Sequence, residues 1–278
     1  MRIVSWNMNH GRRSDQARRD AWTFLREELR ADLVLAQEGS PPPGFNAVYR
    51  AIDDSNRNYR WGSAIVALNP ALTLNGRTRV AAPECFSRAP EAEELPDTHP
   101  GACAVADVLD TSGRRLLTAV SLYGALEGMP GGNSYYGGPR LHRMLSDLTG
   151  VLVRAYRDPV VLAGDFNVST QGEESPENEA AGVFARLRAW DMVDCIARTR
   201  ADRPRLVNCS CPDGDACSHV RTFRTGNRAD SWAKQLDYAF VSEPVAAALN
   251  ECRVLDNEVA WKLSDHCPIL LELNVEGE

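Results

Sequence analysis

In the first residues Ile3, Ser5 and Asn7 fall on one side of an extended chain and Val4 and Trp6 on the other, which predicts a strand from Met1 to Asn7. The period then lengthens. Ala17, Ala21, Phe24, Leu25 and Leu29 recur at helical spacing behind Ser14, a residue type suited to capping, so a helix is predicted through about Leu29. Asp32 to Glu38 is an apolar run ending in a carboxylate and reads as a buried strand. Pro41-Pro42-Pro43-Gly44 marks a loop. Trp61 to Leu68, Ala102 to Leu109 and Leu116 to Tyr123 are further strand candidates. A Gly-rich loop is expected over 128 to 138, and Leu141, Leu145, Leu148 and Leu152 predict a helix from about Pro139 to Tyr156. Val160 to Asp165 is the next strand, followed by a helix near Glu177 to Trp190. Strands around Leu236 to Val241 and Pro268 to Leu273 complete the pattern.

Many strands with a few interspersed helices suggest two packed sheets flanked by helices. No linker divides two compositions and no short repeat is visible, so one domain over 1–278 is expected, with a Cys-rich insertion at about 198–220. A chain of 278 residues, 44% hydrophobic and 25% charged, can bury a sizeable core. Lys and Arg (31) against Asp and Glu (38) leave a net charge of −7. That excludes a generally basic nucleic-acid binder while permitting a locally basic groove. No stretch is long and apolar enough to span a bilayer, and the chain enters a strand at once with no signal-peptide region, so a cytoplasmic location is expected. The eight cysteines would be reduced there.

Polar groups gather at the strand ends: Asn7, Glu38, Asp165 with Asn167, Asp237, and Asp265 with His266. Residues two apart on a strand share a face, so Asp165 and Asn167 project together. Strand ends hold several such groups rigidly around one point. Glu, Asp and Asn oxygens suit Mg²⁺ or Mn²⁺ rather than catalytic zinc. Mg²⁺ held by carboxylates, waters and substrate phosphate oxygens implies phosphoryl chemistry. Singly, each reads more readily in a bland way, Asp165-Phe166-Asn167 as a turn, Asp237 as a surface charge and His266 as a core histidine; as an ordered set they do not.

Trp6-Asn7-Met8-Asn9, Ala36-Gln37-Glu38, Gly164-Asp165-Phe166-Asn167, Leu236-Asp237-Tyr238 and Ser264-Asp265-His266 occur in the order and spacing of the endonuclease/exonuclease/phosphatase superfamily, which the chain resembles from Ile3 to Leu273. That group includes exonuclease III-like abasic-site endonucleases, deoxyribonuclease I, inositol polyphosphate 5-phosphatases and neutral sphingomyelinases. The resemblance implies an α/β (α+β) four-layer sandwich, deoxyribonuclease I-like, and metal-dependent cleavage of a phosphoester. By the same resemblance Glu38 is the principal metal ligand, with Asn7 and Asp265 nearby. Asp165 orients or deprotonates the attacking water and Asn167 helps to fix substrate and water. His266 contacts the scissile phosphate, and Asp237 holds the tautomer and charge of that imidazole. Tyr123 occupies a position at which members differ: His in many phosphatases, lipid phosphodiesterases and deoxyribonuclease I, Tyr in abasic-site endonucleases. The Gly-rich loop departs from the pattern of that last branch.

Cys209-x-Cys211-x5-Cys217-x-His219 offers zinc's preferred ligand types within a short loop, at tighter spacing than zinc-finger patterns. A structural Zn²⁺ site, reduced unligated thiols and a disulfide are the three readings of it. Asn9, Tyr135, Tyr136 and Arg140 are candidate substrate contacts, with aromatics to stack on bases and arginine to hold phosphates. Arg60 and Trp61 sit near a strand start, where Trp61 reads better as core. Arg12, Arg13, Arg18 and Arg19 read as a wet helix face that begins beside Asn7 and Asn9. Three functions compete. A Mg²⁺-dependent nuclease or phosphodiesterase leads, followed by a phosphomonoesterase acting on a nucleotide, inositol phosphate or other metabolite. A catalytically dead binding module would not need the complete metal, base and imidazole set.

Overall fold

The computed structural model describes residues 1–52, 62–81, 94–124, 126–128, 135–171, 180–199, 206, 209, 211, 213–225 and 233–274. Its main strands, in chain order, are β1 (Arg2–Asn7), β2 (Leu33–Gly39), β3 (Asn46–Ala51), β4 (Gly62–Ala67), β5 (Thr73–Gly76) and β6 (Cys103–Leu109). They continue with β7 (Arg115–Tyr123), β8 (Val160–Asp165), β9 (Met192–Asp194), β10 (Asp237–Ser242), β11 (Leu249–Val254) and β12 (Ile269–Leu273). One six-stranded sheet runs β11-β12-β1-β2-β4-β3, and the other runs β9-β10-β8-β7-β6-β5. Each sheet carries one central parallel pair, β1 with β2 and β7 with β8, among antiparallel neighbours.

Alternation along the strands explains the layers. Ile3, Leu33, Leu35 and Ile65 of the first sheet meet Ala119, Val161, Ala163, Ala239 and Val241 of the second in a shared inner core. The intervening residues Val4, Trp6, Val34, Ala36 and Val66 face outward, against Trp22, Phe24 and Leu25. On the other outer face Val120, Leu122, Leu162 and Phe240 pack under Leu141, Leu145, Val183 and Leu187. Both faces of each sheet are therefore covered, which is why the central strands carry nearly unbroken apolar runs. The sandwich has four layers.

The helix behind Ser14 forms as Asp15–Thr23, with the Ser14 hydroxyl accepting from the Ala17 N–H at 3.2 Å, and continues as a π-turn over Phe24–Glu28. The helix expected over 139–156 is shorter. It runs Gly138–Asp147, breaks at Leu148 and resumes for Thr149–Leu152, after which the exposed Val153 and Tyr156 leave no apolar stripe to dock. The helix expected near 177–190 is described as Ala180–Arg188, and residues 172–179 lie outside the described residues. So do Arg60, Trp61 and positions 129–134 of the Gly-rich loop. Tyr135–Tyr136 pairs with Glu127–Gly128 in a two-stranded ribbon inside that loop. Strands β3, β5, β9 and β11 were not expected from the sequence. They are short or only partly buried, so no apolar run or strict alternation announces them. Among the described residues, no helix is long and apolar enough to cross a membrane.

Candidate active site

The inward rows of the two sheets end in polar side chains. Ile3 and Ser5 lead to Asn7, Leu33 and Leu35 to Gln37, Val161 and Ala163 to Asp165, and Val241 and Ala239 to Asp237. Asp165 stands abreast of Tyr123 on one side and Asp237 on the other. Asn7 pairs with Gln37 across the other sheet. Just below, the Gln37 amide donates to the Ser121 hydroxyl at 2.9 Å, and Ser121 donates to the Ala36 carbonyl at 2.9 Å. This buried polar bridge fixes the spacing of the sheets beneath the site.

Asn7 joins the two halves. Its Nδ2 donates to Glu38 Oε1 at 3.1 Å and to Asp165 Oδ2 at 2.9 Å. Its Oδ1 accepts the Asn9 N–H at 3.0 Å, while Asn9 Nδ2 donates to Asp265 Oδ1 at 2.8 Å. Glu38, Asn7, Asn9 and Asp265 thus form one chain of contacts along the mouth of the sandwich. Asn167 folds back on Asp165, with its N–H donating to Oδ1 at 2.9 Å and its Nδ2 to Oδ2 at 3.1 Å. Asp165 accordingly accepts on both oxygens while only 1% exposed.

His266 enters from the opposite sheet. Its Nδ1 lies 2.8 Å from Asp237 Oδ2, and its Nε2 lies 3.8 Å from Asp165 Oδ2, too far for a hydrogen bond. Trp6 Nε1 donates to the His266 carbonyl at 2.9 Å, and the Phe223 ring packs on the imidazole with centroids 4.8 Å apart. Burial alone would lower the pKa of His266, but the carboxylates of Asp237 and then Asp165 override it and raise the value to about 10. The two carboxylates thus favour the charged form of the ring. Burial pushes Asp165 up to about 7. Asp237 and Glu38 add to that shift, while His266 and the Asn7 amide oppose it.

Three residues of the site hold left-handed backbone: Asn9 at φ 46°, Glu38 at φ 47° and Asn167 at φ 52°. Glu38 sits where the β2–β4 register slips between Ala36 and Gly39. A side chain there costs about 1–2 kcal/mol, a strain that concentrates at functional positions. Gly164 is required for packing rather than for a turn, because a Cβ would strike the Leu122 carbonyl of the neighbouring strand.

Glu38, Asp165, Asp237 and Asp265 bring four carboxyl groups together with one imidazole. The excess of negative charge, and the hard oxygens of Glu38 and Asp265, fit a divalent cation, whereas Asn7, expected as a ligand, turns its Nδ2 toward Glu38 and gives its Oδ1 to the Asn9 N–H. Asp165, Asp237 and His266 also lie close enough to share an ion, though His266 Nδ1 is already committed to Asp237. Tyr123 stands beside Asp165 in the strand register. Arg140 is directed elsewhere, with its guanidinium donating to the Leu126 carbonyl at 2.9 Å. Arg18 and Arg19 engage Asp15 and Gln16 on their own helix, as a solvated face would. The side chains of Tyr135 and Tyr136 are not among those described. Cys209, Cys211, Cys217 and His219 come together as a separate buried quartet.

Sequence reading missed the residues that brace the site. Thr222 Oγ1 accepts the N–H groups of Leu236 at 2.9 Å and Asp237 at 3.0 Å, and the Thr222 carbonyl accepts from Cys267 at 2.7 Å. Ser264 Oγ donates to the Asn7 carbonyl at 2.7 Å. A lone Thr or Ser carries no such signal until its partners are placed beside it.

Comparison with known proteins follows the same lines. The profile described as "Endonuclease/Exonuclease/phosphatase family" matches residues 4–266. No curated protein matches the chain. Among solved structures, the APE2 catalytic domain of Xenopus laevis is similar at 16% identity and a TM-score of 0.66, over 98% of this chain and 91% of that one. The AP endonuclease LMAP of Leishmania major matches at 16% identity and 0.62, over 97% and 86%. A 3′ phosphatase, NExo, from Neisseria, bound to a product DNA hairpin, matches at 18% and 0.61, over 99% of both chains.

Proposed function

The chain belongs to the endonuclease/exonuclease/phosphatase family, a group of phosphoester hydrolases, and from that premise we propose that it cleaves a phosphodiester of nucleic acid by direct attack of water, with Mg²⁺ or Mn²⁺ as cofactor. We read the whole span 1–278 as one catalytic domain. The observation that carries the proposal is the facing pair Asp165 and His266. A carboxyl group braced by Asn7 and Asn167 stands opposite the His266 imidazole, 3.8 Å away, near enough for charge attraction but without a hydrogen bond between them.

Glu38 would hold the cation, with Asp265 as the neighbouring oxygen donor and Asn7 steadying Glu38 through its amide; a divalent ion there would supply charge neutralisation for the phosphate oxygens. Asp165 Oδ2 orients the attacking water and accepts its proton, which its poise near neutrality suits. Asn167 keeps that carboxylate in place through its two donated hydrogen bonds. His266 donates from Nε2 to a non-bridging phosphate oxygen as negative charge builds, while Asp237 on Nδ1 holds its tautomer and its charge. Tyr123, abreast of Asp165, offers a phenol to the same phosphate. Asn9, Tyr135 and Tyr136 remain candidates for gripping the flanking substrate.

Nucleic acid as substrate is supported by the solved relatives, which include AP endonucleases and a phosphatase bound to a DNA product. The second reading, a phosphomonoesterase, rests on that same 3′ phosphatase. A substrate panel with Mg²⁺ separates the two: abasic and plain duplex DNA, single-stranded DNA, RNA, bis-nitrophenyl phosphate and mono-nitrophenyl phosphate. Diester turnover lost in Asp165→Asn and His266→Ala supports the first reading. Monoester turnover alone supports the second, and no turnover with either metal overturns both.

A further inference from the structure

We propose that Cys209, Cys211, Cys217 and His219 form a structural Zn²⁺ site that fastens the Cys-rich insertion to the loops behind Asp165, Asp237 and His266. The four ligand atoms lie within 4.8 Å of one another, and all four residues are buried. His219 Nδ1 is 3.4 Å from Cys217 Sγ and 3.6 Å from Cys209 Sγ. Tetrahedral zinc, with Zn–S of about 2.3 Å and Zn–N of about 2.0 Å, places sulfur and nitrogen about 3.5 Å apart. The two distances from His219 therefore stand at ligand spacing, with the other ligand atoms no more than 4.8 Å apart.

Local sequence explains the convergence. Cys209 and Cys211, like Cys217 and His219, stand two apart in sequence, so each pair starts close together. Gly214 at φ 55° and the 3-10 turn Gly214–Ala216 reverse the chain between the pairs. The Cys217 N–H closes that turn on the Gly214 carbonyl at 3.2 Å. Three thiols and an imidazole, with no carboxylate or hydroxyl among the ligand atoms, select zinc over the hard cation suited to Glu38.

The surroundings have the form of an outer shell. His219 turns Nδ1 toward the sulfurs and places Nε2 2.6 Å from Thr170 Oγ1, which fixes the ring for ligation through Nδ1. Gln171 Nε2 donates to Cys209 Sγ at 3.6 Å. The same Gln171 accepts the Gln235 N–H at 2.6 Å, and Gln235 Oε1 accepts the Val220 N–H at 2.9 Å. Thr170 and Gln171 follow Asn167, Gln235 precedes Asp237, and Val220 leads through Arg221 to Thr222 and Phe223. The quartet is thus wired to the segment after the proposed base, to the strand bearing the acid, and to the residues that brace Asp237 and cover His266.

Elemental analysis of the full-length protein, dialysed against EDTA to strip weakly held ions, is expected to find about one zinc per chain. Cobalt substitution is expected to give the visible bands of a tetrahedral thiolate site. Cys211→Ser should lose the zinc, whereas Cys103→Ala, in the core away from the quartet, should keep it. If Cys211→Ser does not fold, a thiol-blocking mercurial titrated into wild type still reads the site, because zinc must be released as the quartet is modified. Thr170→Val should weaken zinc retention by about tenfold while leaving its stoichiometry at saturation unchanged. Zinc-free protein with unaltered melting, or a disulfide trapped within the quartet by alkylation without reductant, overturns the site. Zinc present at the quartet, but removed without any change in kcat or in the pH profile, overturns its coupling to the catalytic loops.

Discussion

His266 and Asp165 face each other from opposite sheets, Nε2 to Oδ2 at 3.8 Å, each already anchored by a different partner. Asp237 holds the far nitrogen of the imidazole, and Asn7 and Asn167 hold the carboxylate. The pair attract as charges but share no hydrogen bond. A direct hydrogen bond would satisfy both groups and leave nothing for a phosphate or a water.

Asp165→Asn should cost about 10²–10⁴ in kcat, because the position would no longer accept a proton. It should also raise the melting temperature at pH 8. The native pKa of Asp165 lies above its unfolded value, mainly through burial, so ionising it works against the fold as pH rises toward about 7. A neutral amide removes that penalty, a gain on the order of 1–3 kcal/mol from which about 1 kcal/mol is lost because its NH2 cannot accept from Asn7 or Asn167. Calorimetry of both proteins at pH 5 and pH 8 checks it. A variant less stable than wild type at pH 8 counts against the assignment.

The pH dependence of kcat/KM should rise on an acid limb at or just below pH 7, set by Asp165, and fall on an alkaline limb near pH 10, set by His266. Removing the imidazolium has a signed consequence. His266 depresses Asp165, so His266→Ala should shift the acid limb upward and abolish the alkaline one. Residual activity measured with a good leaving group reads both effects. An unmoved acid limb would show that the two groups are not coupled.

Glu38→Gly should abolish metal-dependent turnover while stabilising the protein by about 1 kcal/mol, since glycine adopts φ 47° without a Cβ penalty. Glu38→Gln should lose activity with no such gain. Denaturant melts of the two variants, run in EDTA so that metal binding does not contribute, distinguish backbone strain from charge. Equal stabilities would remove strain from the account.

His10 gives the fold an acid sensitivity outside the site. Burial, followed by repulsion from Arg18, lowers its pKa to about 4, and its Nδ1 accepts the Ser40 N–H at 3.2 Å. Below about pH 6.5 the unfolded chain takes up a proton that the native state refuses, so stability falls as pH drops toward 4. His10→Gln should remove about 2 kcal/mol of the loss that wild type suffers between pH 7 and pH 4.5. Parallel curves for the two proteins would sink the prediction.

Much of the architecture was legible in local pattern. The inner strands sit between two apolar layers, so their runs from Leu33 to Ala36 and from Val160 to Ala163 carry the signal unaided. The edge strands Asn46–Ala51 and Leu249–Val254 do not, because almost all of their residues are only partly buried and neither an apolar run nor a strict alternation is required of them. Glu38, Asp165, Asn167, Asp237 and His266 were legible as strand-end polar groups in a familiar order. Their neighbours Thr222, Ser264, Gln37 and Ser121 were not. Each of these acts by accepting or donating one or two hydrogen bonds to a residue far away in the chain, and a hydroxyl or an amide has no pattern of its own.

The composition, the alternation and the five short motifs were enough to define the fold class and the kind of chemistry. Packing alone settled which groups touch. Asn7 meets Asp165 across 158 residues and His266 meets Asp237 across 29, distances at which sequence spacing carries no geometric information. The opposed pKa shifts of Asp165 and His266 follow from the same packing, because burial and a neighbouring charge act only once the two sheets have closed. The Cys-His quartet lies between these cases. Its ligands are adjacent in sequence, but its contacts with Thr170 and Gln171, and through them with the catalytic loops, exist only in the folded chain.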